Sequence, residues 1–175
     1  MVTDAQLLTQ NDAFERIFTR YEKLIYHVCR RYFNNTEDAM DAGQEVALRL
    51  FRNMTKVVPK ADGSIKSWVC TVTSHVCLDI VRKRRIETEE LTDKTQTATS
   101  TTARPVEETI TAKECVQEIA TAIASLPDDQ RMIVILRDLQ GLRYDELAEA
   151  LNITAGTVKS RLSRARSSIK KRLAT

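Results

Sequence analysis

The chain has 175 residues, with 27 Lys and Arg against 24 Asp and Glu, a formal net charge of +3 and 42% apolar residues. That length allows one domain or two small ones, each with a core of its own. No apolar run approaches the roughly 18–20 residues of a membrane span, and Met1-Val2-Thr3-Asp4 lacks the basic and apolar regions of a signal peptide, so no direct membrane insertion and a cytoplasmic location are expected.

Only four glycines and no sustained alternating pattern predict an all-helical chain. The first helix is expected from about Asp12 to Phe33, with Phe14, Ile17, Phe18, Tyr21, Leu24, Ile25 and Val28 on its apolar face. Thr36 is a candidate cap for a second helix running to about Met54, with Glu37 and Asp38 in the favourable first turn. Within it Asp38, Asp41 and Glu45 share one face, which suits an exposed acidic surface or a docking face for a basic partner. A loop over 55–64 precedes a third helix from about Ile65 to Arg85, with Ile65, Trp68, Val69, Val72, Val76 and Ile80 as its stripe. Thr71, His75, Leu78, Arg82 and Arg85 form a second row on that helix. Cations near a helix C-terminus are ordinary dipole partners. A tryptophan beside a basic row also suits unstacked bases, so Arg82-Lys83-Arg84-Arg85 is a candidate DNA-strand surface.

Residues 88–109 hold eight threonines, one proline and no aromatic side chain, too little apolar area to offset chain ordering, and are expected to be a flexible linker. A second domain is expected to start near Thr111, with Val116, Ile119, Ala120 and Ile123 in its first helix. Helices over 127–139 (Gly141 closing the turn), 144–151 and 155–173 follow, with Pro127 at a helix start, where its missing N–H costs nothing. The last three make a helix-turn-helix. Val158, Leu162, Ala165, Ile169 and Leu173 fall within about 80° of arc on the final helix. Ser160, Ser163, Arg164 and Ser167 point the other way, and residues 151–175 carry seven Lys and Arg and no acid. Short hydroxyls and cations on the free face are what a helix needs to enter the DNA major groove. Lys159, Ser160, Ser163 and Arg164 are candidates to face bases, and Thr157, Arg161 and Arg166 to flank them and hold phosphates.

Charge is distributed unevenly: 14 basic and 11 acidic side chains in 1–87, 2 and 5 in 88–110, 11 and 8 in 111–175. Two basic blocks around an acidic connector suit two nucleic-acid contacts better than a membrane surface. Cys29, Cys70, Cys77 and Cys115 sit in helical patterns without CxxC spacing, which predicts buried thiols in a reducing compartment. A zinc set of Cys70, His75 and Cys77 is disfavoured by zinc's tetrahedral needs, and neither metal nor cofactor is expected. There is no Gly-rich phosphate loop and no HExxH, and Ser74-His75-Asp79 makes a poor triad because adjacent helical residues point about 100° apart, so no enzyme is expected.

In this order the segments resemble the extracytoplasmic-function group of bacterial RNA polymerase sigma factors, over nearly the whole chain. YEKLIYHVCRR (Tyr21–Arg31), DAMDAGQEVALRLF (Asp38–Phe51) and WVCTVTSHVCLDIVRKRR (Trp68–Arg85) resemble the family's region 2. Leu126-Pro127 through Leu173, with GTVKSRLSRAR as its most specific part, resembles region 4. His75 stands where the family usually has asparagine, Ile65 where an aromatic is common, and Ala42 and Ala47 where larger apolar residues are usual. The resemblance implies a region 2 domain over 1–87, the linker 88–110, and a region 4 helix-turn-helix domain over 111–175. Asp38, Asp41, Gln44 and Glu45 would bind the clamp helices of the largest polymerase subunit, and the flap of the second-largest would be a further contact. Ile65, Trp68, Thr71, His75, Arg82 and Arg85 would capture the −10 element, and a flipped base there costs a few kcal/mol that a pocket must return. Thr157, Lys159, Ser160, Arg161, Ser163, Arg164 and Arg166 would bind the −35 element. Partners would be core polymerase, promoter DNA and an anti-sigma factor. A free-standing helix-turn-helix regulator is the alternative, and it leaves residues 1–87 without a task.

Overall fold

The computed structural model describes residues 4–54, 62–91 and 112–174. Its helices are α1 (Asp4–Tyr32), α2 (Thr36–Asn53), α3 (Asp62–Leu91), α4 (Ala112–Ala124), α5 (Asp128–Val134), a π-helix (Ile135–Leu139), α6 (Tyr144–Leu151) and α7 (Ala155–Leu173), with no strand among the described residues. The fold is all-α, as the spacing of apolar residues requires.

Helices α1 and α3 pack on one another and on α2 through the stripes expected of them. Tyr21, Ile25 and Val28 of α1 are buried, and Phe14 joins α1 to α2 by an edge contact with Phe51 at 5.4 Å between ring centres. Ala39, Ala42, Val46 and Leu50 form the buried face of α2. The cap of α2 is Asn35 rather than Thr36: its side-chain oxygen accepts from the Asp38 N–H at 2.6 Å, which leaves Thr36 as the first helical residue. Helix α1 begins eight residues earlier than expected. Helix α3 runs on to Leu91, past the basic run and into the stretch expected as linker. Most of the expected loop and most of the linker lie outside the described residues.

Helix α3 is more buried than one amphipathic stripe allows. Besides Val69 and Val76, Cys70, Thr73, Ser74 and Cys77 are fully enclosed. The two hydroxyls are satisfied internally, Thr73 donating to the Val69 carbonyl at 2.7 Å and Ser74 to that of Thr71 at 2.9 Å, so their burial leaves no orphan. The cause is a second neighbour: α3 packs on α1 and α2 and also against α5 and α6, while α1 touches α4 and the π-helix. One continuous apolar core runs through both groups of helices.

In the second group Met132, Ile133, Val134, Ile135 and Leu136 are five consecutive buried residues, which marks α5 and the π-helix as its central rod. Pro127 is the cap of α5, and its carbonyl accepts from the Arg131 N–H at 2.8 Å. Gly141, at φ +75°, ends the π-helix, and its N–H reaches the Arg137 carbonyl at 3.1 Å. Asn152, at φ +50°, makes the left-handed turn that ends α6 and aims α7 across it. Of the expected α7 stripe, Val158, Leu162 and Ala165 are buried and Ile169 is half-buried. Leu173 is 45% exposed, because α7 outruns the body it packs on.

Cys29, Cys70 and Cys77 are buried, but Cys115 is exposed, contrary to expectation, since α4 turns that face outward. Cys29 and Cys77 lie with their sulfurs 3.9 Å apart. Their mutual contact and burial push the Cys77 thiol well above the usual range, and burial pushes Cys70 up to about 12. An alkylating reagent is therefore expected to label Cys115 alone in the folded chain and all four thiols in denaturant. More than one adduct by intact mass under native conditions would contradict the packing of α1 on α3.

Candidate nucleic-acid and partner interfaces

The expected recognition face of α7 is built by its cap and its core stripe. Thr154 caps the helix, its hydroxyl accepting from the Thr157 N–H at 3.2 Å and lying 2.9 Å from the Thr157 hydroxyl. With Val158, Leu162 and Ala165 fixed inward, Lys159, Ser160, Ser163 and Arg164 are all exposed, on one surface. Ser160 donates to the Thr157 carbonyl at 3.1 Å, which fixes its oxygen as an acceptor toward solvent. Lys159 and Arg164 have no ion pair among the described residues, so their charge is available to an incoming polyanion. Arg161 and Arg166 differ: Arg161 pairs with Asp129 at 3.2 Å, and Arg166 grips Asp138 with two nitrogens at 3.2 and 2.5 Å. These two of the expected phosphate holders brace α7 onto α5 and the π-helix.

On α3, His75 and Arg82 are exposed along the outer row with Arg85, while Ile65, Trp68 and Thr71 are half-buried at its start. Thr71 spends its hydroxyl on the Ser67 carbonyl at 2.9 Å. His75 faces solvent whereas Cys70 and Cys77 face the core, so the conceivable zinc set is not brought together, and no cluster of three ligands exists among the described residues.

On α2, Asp41 and Gln44 are exposed, but Asp38 and Glu45 are engaged. Asp38 is held by both terminal nitrogens of Arg84 and by Asn35, and the Arg84 contact lowers its carboxyl below the usual range. Glu45 pairs with Arg49 at 2.9 Å, and Arg49 goes on to Asp79 of α3 at 2.8 Å. The open face therefore centres on Asp41 and Gln44, flanked by Met40 at 54% and Leu48 at 50% exposure. Beside it Tyr26, Met40, Gly43, Gln44 and Ala47 line a groove of about 450 Å³ between α1 and α2. The charge pattern alone does not mark Met40 and Leu48. Their spacing does, since they share the Asp41/Gln44 face and sit off the Ala39–Leu50 stripe. A second apolar groove of about 570 Å³, edged by exposed Ile119, Leu139 and Leu173, lies between α4 and the end of α7.

Residues 17–86 match the family model for sigma-70 region 2, and residues 116–169 that for sigma-70 region 4. The chain belongs to the sigma-70 family. The sigma factors it resembles are of the extracytoplasmic-function group. It is 29% identical to the ECF RNA polymerase sigma factor SigE of Mycolicibacterium smegmatis over 93% of this chain, and it spans 62% of that relative's length. It is 29% identical to SigW of Bacillus subtilis, over 93% of this chain and 89% of the relative. The ECF sigma-E factor of Escherichia coli K12 is 28% identical, over 90% and 84%. Among solved structures, the sigma factor RpoE in complex with the anti-sigma factor NepR from Bartonella quintana shares the fold at a TM-score of 0.73 and 22% identity, over 93% of this chain and 97% of that one. CnrH in complex with the cytosolic domain of CnrY does so at 0.64 and 18%, over 94% and 89%. No described helix of this sigma factor is long and apolar enough to cross a membrane.

Proposed function

We propose that this sigma factor is a promoter-specificity subunit that brings core RNA polymerase to tandem −35 and −10 elements and carries no catalysis of its own. The observation that carries this reading is the pairing of two family regions in one chain, each with an open face: Lys159, Ser160, Ser163 and Arg164 on α7, and His75 and Arg82 on α3. Region 4 enters the −35 major groove, where Lys159, Ser160, Ser163 and Arg164 face base edges. Region 2 holds the melted −10 strand against Ile65, Trp68 and Thr71, with His75, Arg82 and Arg85 along its backbone. Thr157, Arg161 and Arg166 support the −35 contact from its rim. The division into a region 2 domain (1–87), a linker (88–110) and a region 4 domain (111–175) follows from this division of labour. The two matched stretches, 17–86 and 116–169, fall on either side of that linker. A free-standing regulator would not need the region 2 match.

The α2 face around Asp41, Gln44, Met40 and Leu48, with Asp38 and Glu45 at its edge, docks on the clamp helices of the largest polymerase subunit. The apolar groove by Ile119, Leu139 and Leu173 takes the flap of the second-largest. The protein works where RNA polymerase works, in the cytoplasm. An anti-sigma partner is supported by the structural neighbour solved in complex with the anti-sigma factor NepR.

Core polymerase mixed with the chain and a genomic promoter library is expected to give transcript 5′ ends absent without it. No chain-dependent start site would overturn the reading. Asp41→Lys is expected to weaken polymerase binding at least tenfold with only a small fall in melting temperature, because Asp41 is exposed and meets Arg84 by charge attraction without a hydrogen bond to it. Wild-type affinity in that variant, measured by co-elution with core enzyme, would remove α2 as the docking face.

A further inference from the structure

Helix α1 ends on two arginines, Arg30 and Arg31, with His27 one turn before them. All three side chains are exposed, and none has an ion pair among the described residues. Cations in the last turn of a helix answer its dipole, and on a convex surface nothing more would follow. Here the setting is concave. The end of α1 and the flank of α4 enclose a cleft of about 710 Å³, within the roughly 300–1,000 Å³ usual for small-ligand pockets.

The walls of the cleft are tied together at one end. Arg131 donates to the Tyr32 carbonyl that closes α1 at 3.0 Å and to the Ala124 carbonyl that closes α4 at 2.6 Å. Buried Phe33 and Ile123 supply the apolar part of the lining, and the Phe33 ring stands edge-on to Tyr32 with centres 5.2 Å apart. The α1 wall carries the three cationic side chains and Tyr26, which is 47% exposed and meets the His27 ring edge-on at 6.0 Å. Asn34, just past α1, and Gln117 and Thr121 on α4 add neutral donors and acceptors. No Asp or Glu lines the cleft among the described residues.

Each of these features selects for part of one ligand. Two guanidinium forks without carboxylates of their own match phosphate oxygens. An open tyrosine ring offers its face to a heterocycle, and side-chain amides can bond the edge of a base. Inorganic phosphate would use the cations alone and leave Tyr26, Asn34 and Gln117 idle. A nucleic-acid strand needs a repeating row of rings and cations, whereas one ring and one cationic cluster serve one base and one phosphate chain. We propose that this cleft binds a free nucleotide carrying two or more phosphates, with its phosphate chain on Arg30, Arg31 and His27 and its base against Tyr26. Neither α7 nor Asp41 lines the site, so it is additional to the promoter and polymerase faces. A ligand there touches both α1 and α4, and its binding stabilises the two together.

The test is calorimetric titration of the full chain with ATP, GTP and base-free tripolyphosphate at physiological salt. At least one nucleotide should bind one-to-one and about tenfold or more tighter than tripolyphosphate, the worth of stacking one base. At a hundredfold excess over its Kd it should raise the melting temperature by roughly 5–10 °C. Arg30→Ala and Arg31→Ala should each weaken nucleotide binding about tenfold, as loss of a charge-assisted contact does. Their ligand-free melting temperatures should stay within about 2 °C of wild type, since neither arginine has an ion pair to lose. Tyr26→Ala should lower nucleotide affinity to the level of tripolyphosphate, whose own binding stays as in wild type and so shows that the variant is folded. Absence of nucleotide binding, equal affinity for tripolyphosphate in the wild type, or undiminished nucleotide binding in any of the three variants would overturn the site.

Discussion

The double variant Lys159→Ala/Arg164→Ala is expected to reduce −35-dependent transcription by roughly 30- to 20,000-fold, the sum of two groove interactions worth about 1–3 kcal/mol each. The breadth of the range reflects which atoms they meet on the DNA, and the single variants separate the cases. Where Arg164 bonds a base edge, Arg164→Ala relaxes preference at one −35 position. Where Lys159 holds a phosphate, Lys159→Ala weakens all sequences alike and lowers the salt slope by about one. Both side chains are exposed and have no ion pair among the described residues, so thermal unfolding should stay within about 0.5 kcal/mol of wild type. That separation of binding from stability is the check. Arg166→Ala also removes a positive charge, yet it breaks the Asp138 brace and should shift both readouts by small amounts, as partly exposed ion pairs are worth about 0.2–1 kcal/mol. Wild-type transcription in the double variant, at physiological salt, would take the recognition role away from α7.

Much of this fold is legible in the sequence because it rests on local periodicity. The α1, α2 and α7 faces follow from residue spacing alone, and the acid-free run from Leu151 to Thr175 points to the open face of α7 without reference to any neighbour. What escapes depends on partners far apart in the chain. Arg131 meets Tyr32 across 99 positions, and no helical pattern marks an arginine that caps two other helices. The enclosed Cys70 and Thr73 look like ordinary off-stripe residues until a second group of helices packs on α3. Sequence reasoning also overstates how many charges are free. Asp38, Glu45, Arg161 and Arg166 sit on the right faces, but each is already matched, and only packing brings Asp38 to Arg84 or Arg166 to Asp138. The exchange of Thr36 for Asn35 as cap turns on one backbone dihedral, which composition does not set.

Leu162→Ala is expected to be among the most damaging single changes to the recognition unit. Leu162 is 1% exposed, lies mid-helix on α7, and joins the same core as Met132, Ile133 and Leu147. Truncating it removes the transfer free energy of the deleted carbons and leaves a cavity under the recognition helix, together about 2–5 kcal/mol. Against the roughly 5–15 kcal/mol that holds a typical domain together, that is a large fraction. The melting temperature should fall by roughly 4–20 °C, at 2–4 °C per kcal/mol for a chain of this length. Promoter binding should fall with it, and should recover on cooling or with saturating −35 duplex, because ligand that binds only the folded form restores its population. Leu173→Ala is the internal control: the residue belongs to the same apolar stripe but is 45% exposed, so its truncation should cost a few tenths of a kcal/mol. Equal losses in the two variants would mean that α7 is held along its whole length by something other than the Val158–Leu162–Ala165 stripe, and that its DNA face is aimed by different residues.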